Sequence, residues 1–169
     1  HGHWFETLAI SNEDRLRVQA YRQNIARSQA QQATTDLESY LLDLDMHATW
    51  GAVNTSSMQR VTQLINKTNQ FHLTTTRYTE AQLAHMMNSD KFWIGQFSLS
   101  DRFGDNGIIA AVILRFDNQQ QAFIDTWTMS CRVFSRTMEN FIFNILCNIS
   151  LQKGCSNLIG EYKKSQKNQ

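Results

Sequence analysis

The chain has 169 residues, of which 41% are apolar and 18% charged, and its formal net charge is +1. A chain of this size and composition can bury a hydrophobic core without disulfides or a structural metal. The balanced charge argues against a nucleic-acid-binding protein, which normally carries a clearly basic face. No apolar stretch approaches the roughly 18 residues of a membrane span, so we expect no membrane association.

The cysteines are Cys131, Cys147 and Cys155, an odd number without C-x-x-C spacing. This pattern argues against both a disulfide framework and a zinc site. We therefore expect a reducing, cytoplasmic compartment and no metal bound by these residues.

The first third of the chain predicts helices. Ser11 with Asp14 and Thr35 with Glu38 have the spacing of capping boxes, the second being the better match. The polar stretch 28–34 is either a joint between two helices or part of one continuous helix. After each start, apolar residues recur at helical spacing: Leu16, Ala20, Tyr21 and Ile25, then Leu37, Tyr40, Leu41 and Leu44.

The next segment predicts one strand and two helices. Residues 46–53 have the pattern of a short strand, after which Ser56 or Ser57 is expected to cap a helix. Thr79 with Gln82 opens the second helix. The apolar face of the first helix is predicted to comprise Met58, Val61, Leu64 and Ile65.

Three strands are predicted from Phe92 onward. Apolar residues come at even spacing after Phe92, residues 108–114 form a continuous apolar run, and residues 123–130 complete the set. The continuous run is typical of a central strand covered on both faces. Asp105-Asn106-Gly107 predicts the turn between the first two strands, because Asn-Gly tolerates positive φ angles.

The last part of the chain predicts a helix and a short strand. The helix begins near Thr137 and ends at Gly154, and residues 157–161 form the strand. Helices mixed with neighbouring antiparallel strands place the chain in the α+β class.

Four segments, in the same order, resemble FkbH-like proteins, which belong to the HAD superfamily, subfamily IIIC. The resemblance implies a GNAT-like fold: a mixed, mainly antiparallel sheet with flanking helices, preceded by an N-terminal helical extension. The segments are NKTNQFHLTT at 66–75, DRFGDNG at 101–107, WTMSCRV at 127–133 and GEY at 160–162.

In that family a HAD phosphatase-like domain precedes the GNAT-like domain. By this resemblance, residues 1–45 are an extension or linker from an N-terminal HAD domain. Residues 46–169 are then the GNAT-like domain, ending before its closing helix and strands. Asp43 and Asp45 have the spacing of the HAD nucleophile motif, but they end an amphipathic helix and do not follow a buried strand.

The resemblance also implies an activity and partners. The family forms glyceryl-S-acyl carrier protein from a phosphorylated glycerate donor, so the expected partners are an acyl carrier protein and the HAD domain. The thiol acceptor is the phosphopantetheine of the carrier, or CoA. No cofactor is expected to stay bound here, and Mg is expected only in the HAD domain.

The catalytic candidates are Cys131, Asp101 and His72. A thiolate can accept an acyl group and pass it to another thiol, and a neighbouring arginine and helix N-terminus lower a cysteine pKa. Asp101 is an acid/base or an orienting carboxylate, unless it pairs locally with Arg102 in a polar hairpin tip. His72 is a general base to the cysteine, or a structural histidine; Cys131 itself is otherwise a small buried strand residue.

The cofactor-binding candidates are Arg132, Ser135, Arg136 and Thr137. They occupy the place of the GNAT pyrophosphate loop, R/Q-x-x-G-x-G/A, with Ser135 and Thr137 at both glycine positions. The alternative is a plain N-capped helix. Substrate-binding candidates, which are otherwise polar loop or core residues, are Lys67, Asn69, Gln70, Arg102, Asp105, Asn106 and Trp127.

Three functions stay open at this stage. The first is acyl transfer through Cys131 to a phosphopantetheine thiol. The second is a non-catalytic module that docks the carrier protein and substrate beside the phosphatase domain. The third is a specificity cap of a phosphatase.

Overall fold

The computed structural model describes residues 12–68 and 70–163. Helices and strands alternate in the order expected of an α+β protein. The elements are α1 (Asn12–Ala33), α2 (Leu37–Asp43), β1 (His47–Ala52), α3 (Thr55–Lys67), α4 (Glu80–Met87), β2 (Phe92–Asp101), β3 (Gly104–Phe116), β4 (Gln121–Met129), a 3₁₀ turn (Cys131–Val133), α5 (Met138–Gln152) and β5 (Asn157–Gly160).

The described strands form one five-stranded sheet with the order β1-β2-β3-β4-β5. β3 and β4 are antiparallel, whereas β4 and β5 are parallel and pair from Gln121 opposite Asn157 to Ile124 opposite Gly160. The parallel pair is joined by α5, as a crossover connection requires. The predicted α+β class and mixed sheet are therefore confirmed.

The chain divides into two compact units. Among the described residues, the first comprises 12–46 and 100–106, and the second comprises 47–68, 70–99 and 107–163. The first unit holds α1, α2 and the turn between β2 and β3, and the second holds most of the sheet with α3, α4 and α5.

Apolar side chains from α3, α4, β2 and β3 form a core in the second unit. Val61, Ile65, Leu83 and Ile113 are fully buried there, and Ile94 is 4% exposed. The burial of each such side chain stabilises the fold by about 1.5–3 kcal/mol relative to leaving it exposed. The apolar face predicted for α3 is confirmed, since Met58, Val61, Leu64 and Ile65 are all buried.

The turn between β2 and β3 lies earlier in the chain than predicted. β2 ends at Asp101 and β3 begins at Gly104, so Asn106 and Gly107 lie inside the strand. The cause is the Asp101 side chain, which accepts a hydrogen bond from the Phe103 backbone N–H at 3.0 Å. This Asx-type bond mimics a backbone turn and ends β2 before Asn-Gly is reached.

Two predicted helix starts are corrected in the same way. Asn54, not Ser56 or Ser57, is the N-cap of α3, and it forms a capping box with Ser57. Asp36, not Thr35, caps α2 by accepting from the Ser39 N–H. Asn and Asp are among the strongest N-cap residues and lie at the right distance from these N–H groups.

α1 continues to Ala33, so the polar stretch 28–34 lies mostly within a continuous helix. Its predicted stripe does not form a core: Leu16, Tyr21 and Ile25 are exposed. Ser11, the expected cap, lies outside the described residues. None of the described helices combines the length and apolar character that a membrane span needs.

Candidate functional site

An open cleft of about 560 Å³ is lined by α3, the loop that follows it and the end of β4. It brings together two of the segments that carry the family resemblance, the one after α3 and the one after β4. The lining residues are Arg60, Gln63, Leu64, Lys67, Thr68, Gln70, Met129, Ser130, Cys131 and Arg132.

Cys131 is the thiol of this cleft. It is exposed, whereas Cys147 is half-buried and Cys155 is buried. The helix N-terminus expected to neighbour Cys131 is seven residues away, because a 3₁₀ turn comes first and α5 begins only at Met138. Cys131 is therefore presented by a tight turn at the strand end.

Three cationic side chains line the same cleft. Arg60 and Lys67 come from α3, seven residues apart and so on one face, and Arg132 follows the cysteine. Ser130 Oγ accepts from the Arg132 backbone N at 3.4 Å and from Arg132 Nε at 3.2 Å, which orients that side chain. No carboxylate is among the described lining residues, so the cleft favours an anionic ligand.

The loop before α5 has an unusual backbone. Ser135 has φ +61° and Thr137 has φ +58°, both in the left-handed region that favours glycine. Thr137 is the N-cap of α5, but its hydroxyl donates to the Arg136 carbonyl at 2.7 Å and does not cap the helix. The side chain of Arg136 is buried, with 7% of the residue exposed. The loop thus keeps a glycine-like conformation without glycine.

His72 is buried and held beside β4. It pairs with Thr128 across an antiparallel bridge, and its Nδ1 accepts from the Thr75 N–H at 3.0 Å. Burial, and secondarily the positive charge of Arg77, lower the pKa of His72 to about 4. The imidazole is therefore neutral near pH 7, and His72 is not among the described residues that line the cleft.

Comparison with solved structures gives the fold. The aminoglycoside 6'-N-acetyltransferase AAC(6')-Ih of Acinetobacter baumannii superposes on this chain with a TM-score of 0.53 at 9% identity. AAC(6')-Iy, in complex with the bisubstrate analogue CoA-S-monomethyl-acetylneamine, superposes with a TM-score of 0.53 at 13% identity. Each superposition covers 71% of this chain and 82% of the other. A GNAT family acetyltransferase of Staphylococcus aureus superposes with a TM-score of 0.50 at 12% identity, over 72% of this chain and 90% of that one. The chain has the GNAT fold.

At these identities the likeness shows the GNAT fold alone. No protein-family model matches the sequence, and no curated protein matches it. The cleft at Cys131 and the loop before α5 lie on this GNAT fold at the end of β4.

The predicted residues of the β2–β3 turn belong to the first unit. Both carboxylate oxygens of Asp101 accept from Arg27, at 2.7 and 2.8 Å, and the Asp101 side chain is fully buried. Arg102 does not pair with Asp101: it forms an exposed ion pair with Asp43 at 2.7 Å. Asn106 is buried, with its Nδ2 3.5 Å from Asp101 Oδ2.

The remaining predicted residues occupy different settings. Asp105 is exposed on β3, and Trp127 is buried on β4 with its ring edge-on to Phe71 at 5.6 Å. Asn69 lies outside the described residues. In the part of the chain that the structure describes, no group of three or more His, Cys, Asp or Glu side chains could hold a metal ion.

Sequence reasoning missed Arg60 and Gln63. The signal was present, because Arg60, Gln63 and Lys67 fall at i, i+3 and i+7 on the polar side of α3. This spacing alone does not indicate a site, because the exposed polar residues of an amphipathic helix usually form only its solvated face.

Proposed function

We propose that the chain transfers an acyl group through Cys131 to the thiol of a phosphopantetheine arm. The observation that supports this most directly is an exposed cysteine in a cleft with three cations and no described carboxylate. The cysteine is the nucleophile that such a transfer needs, and the three cations would attract an anionic acyl donor or phosphate to it.

The chemistry has two balanced steps. The Cys131 thiolate attacks the carbonyl carbon of an activated acyl donor, a C–S bond forms, and the donor's leaving group departs with its bonding electrons. The phosphopantetheine thiol then loses its proton to solvent and attacks the acyl-cysteine, which regenerates the Cys131 thiolate. The second step exchanges one thioester for another, so it needs no further energy source.

Arg132 and the loop that follows it would hold the phosphate of the arm. Successive backbone N–H groups in turn and left-handed conformations bind anions. Ser135 and Thr137 adopt the φ angles that glycine would supply, and this supports anion binding by the loop backbone. The same residues would serve whether the arm belongs to CoA or to a carrier protein.

The finer proposal follows from the FkbH-like segments. The acyl group is glyceryl, from a phosphorylated glycerate donor delivered by an N-terminal HAD domain that holds Mg, and the acceptor is an acyl carrier protein. Lys67, Gln70 and Arg60 would bind the anionic donor in the cleft. We place this reaction in the cytoplasm.

A second candidate function is a non-catalytic module that docks the carrier and substrate. The state of His72 favours it, because a buried imidazole with a pKa of about 4 is a weak general base at neutral pH. Under this hypothesis the cationic cleft binds the arm, and no acyl group reaches Cys131.

Intact-protein mass spectrometry separates the two. The protein is incubated with acetyl phosphate and with acetyl-CoA, and acylation of Cys131 is expected to add the acyl mass. Cys131→Ser is expected to lose the addition, and Cys147→Ser, at a half-buried position on α5, to keep it. An unchanged addition in Cys131→Ser removes the cysteine from the mechanism. No addition in any protein, together with saturable binding of CoA, favours the docking module.

A further inference from the structure

The second unit contains another cleft, of about 460 Å³, that shares no described lining residue with the Cys131 cleft. It lies where the pairing of β4 with β5 ends, at Ile124 opposite Gly160. Its lining residues are Thr74, Thr76, Arg115, Phe123, Ile124, Asp125, Ile159, Gly160, Glu161 and Lys163.

Asp125 is the acidic side chain held most firmly in this cleft. Ile124 pairs with Leu114 and Thr126 with Ile113, so Asp125 is the extra residue of a β-bulge. Asp125 nevertheless keeps the alternation of β4, because Gln121, Phe123 and Asp125 are half-buried and the residues between them are buried. The Asp125 carboxylate accepts from the Tyr78 hydroxyl at 2.6 Å and from Thr126 Oγ1 at 3.1 Å.

Tyr78 fixes the orientation of that carboxylate. Burial, and next the bond to Asp125, raise the pKa of Tyr78 well above its usual value. The phenol therefore stays protonated and keeps donating to one oxygen. The direction of the Asp125 carboxylate is thus set before any ligand arrives.

Arg115 supplies the opposite charge on the same cleft. It lies across from Phe123 in the β3–β4 register, and its guanidinium lies over the Phe123 ring, 4.3 Å from the centroid. Phe123 and Asp125 are two residues apart on β4, a separation of about 6–7 Å along a strand. Ring stacking occupies one face of the guanidinium and leaves its N–H edges for a carboxylate.

These two charges do not pair with each other. Among the described residues the contacts of Asp125 are hydroxyls and a backbone bond, and the interaction of Arg115 is the aromatic ring. A guanidinium and a carboxylate therefore line one cleft without forming an ion pair with each other. A ligand with both charges on adjacent carbons would satisfy both.

We propose that this second cleft binds a free α-amino acid. The ligand carboxylate contacts Arg115, the ammonium contacts Asp125, and a medium-sized apolar side chain lies on the surface formed by Phe123 and Ile159. Ile159 is 38% exposed, so this apolar surface is open to a ligand. The proposal stands independently of the chemistry at Cys131.

Three matched probes test the proposal by NMR titration of backbone amides near Asp125 and Gly160. L-leucine carries both charges, L-leucinamide lacks the carboxylate, and 4-methylpentanoate lacks the ammonium. We expect leucine to cause saturable chemical-shift changes. Each analogue should bind about tenfold more weakly, because it lacks one charge-assisted hydrogen-bonded contact.

Two variants assign the charges. Arg115→Gln should weaken the binding of leucine about tenfold and leave the affinity for leucinamide unchanged. Asp125→Asn should weaken the binding of leucine and leave the affinity for 4-methylpentanoate unchanged. Arg22→Gln, on the exposed surface of α1, should change none of the three affinities. Absence of saturable leucine shifts, or an equal loss for all three probes in a folded variant, overturns the proposal.

Discussion

His72 is a buried base whose titration makes the stability of the fold depend on pH. Its folded-state pKa of about 4 lies below the ordinary histidine value of 6.5. Between these two values the unfolded chain binds more protons than the folded chain, so protonation favours unfolding. The stabilising contribution is complete above pH 6.5 and is lost as the pH falls from 6.5 to 4.

We expect His72→Asn to remove this part of the pH dependence. Asparagine keeps an acceptor for the Thr75 N–H and cannot take up a proton. In urea unfolding at pH 7 and pH 4.5, the parent should lose on the order of 2 kcal/mol more free energy of unfolding than the variant. His85→Asn, at an exposed position, should behave as the parent. Equal pH slopes in the parent and His72→Asn would show that the imidazole is not buried as described.

At the scale of the element, the loop before α5 stores strain at Thr137. A β-branched residue at φ +58° is unfavourable by about 1–2 kcal/mol. Thr137→Gly should raise the free energy of unfolding by about 1 kcal/mol, since the entropy cost of glycine offsets part of the relief. Thr68→Gly, at φ −78°, should lower it. Urea unfolding of both variants measures these changes. A lower free energy of unfolding for Thr137→Gly would contradict a left-handed conformation at position 137.

Patterns within one element predicted most of this fold. The continuous apolar run of β3, the alternation in β2 and the apolar face of α3 each depend on the burial of a whole face. Side-chain hydrogen bonds decided the positions that were wrong. Asp101 ends β2 early, and Asn54 caps α3 two residues before Ser56, the nearer of the expected serines. In both cases a carboxylate or carboxamide side chain competes for nearby backbone N–H groups.

The candidate site was predictable from the sequence only where its residues lie close together along the chain. Cys131 and Arg132 are adjacent, so their shared cleft could be expected, and Lys67 and Gln70 were predicted as polar residues that follow a helix. The Arg27–Asp101 pair joins residues 74 positions apart, and no periodicity or motif indicates which cation meets which carboxylate. The same limit applies to the pairing of Tyr78 with Asp125, 47 positions apart.

At the scale of the whole molecule, a buried ion pair between Arg27 and Asp101 holds together the described part of the first unit. Arg27 is 4% exposed and donates both to Asp101 and to the Gly104 carbonyl, so it connects α1 to the β2–β3 turn within that unit. Removing one partner leaves a buried charge without compensation, which typically costs 3–5 kcal/mol, whereas exposed pairs contribute about 0–1 kcal/mol. Asp101→Asn should therefore lower the free energy of unfolding by about 3 kcal/mol, and Asp43→Asn, in the exposed pair with Arg102, by less than about 1 kcal/mol.

A double replacement separates this structural role from the acid/base role that the sequence suggested for Asp101. Arg27→Met with Asp101→Asn removes both charges and keeps an acceptor for the Phe103 N–H, so stability should return toward that of the parent. Because both carboxylate oxygens already bind Arg27, we expect this folded double variant to keep the acyl addition at Cys131 in mass spectrometry. A double variant that unfolds at the urea concentration of the parent but accepts no acyl group would assign Asp101 to the chemistry.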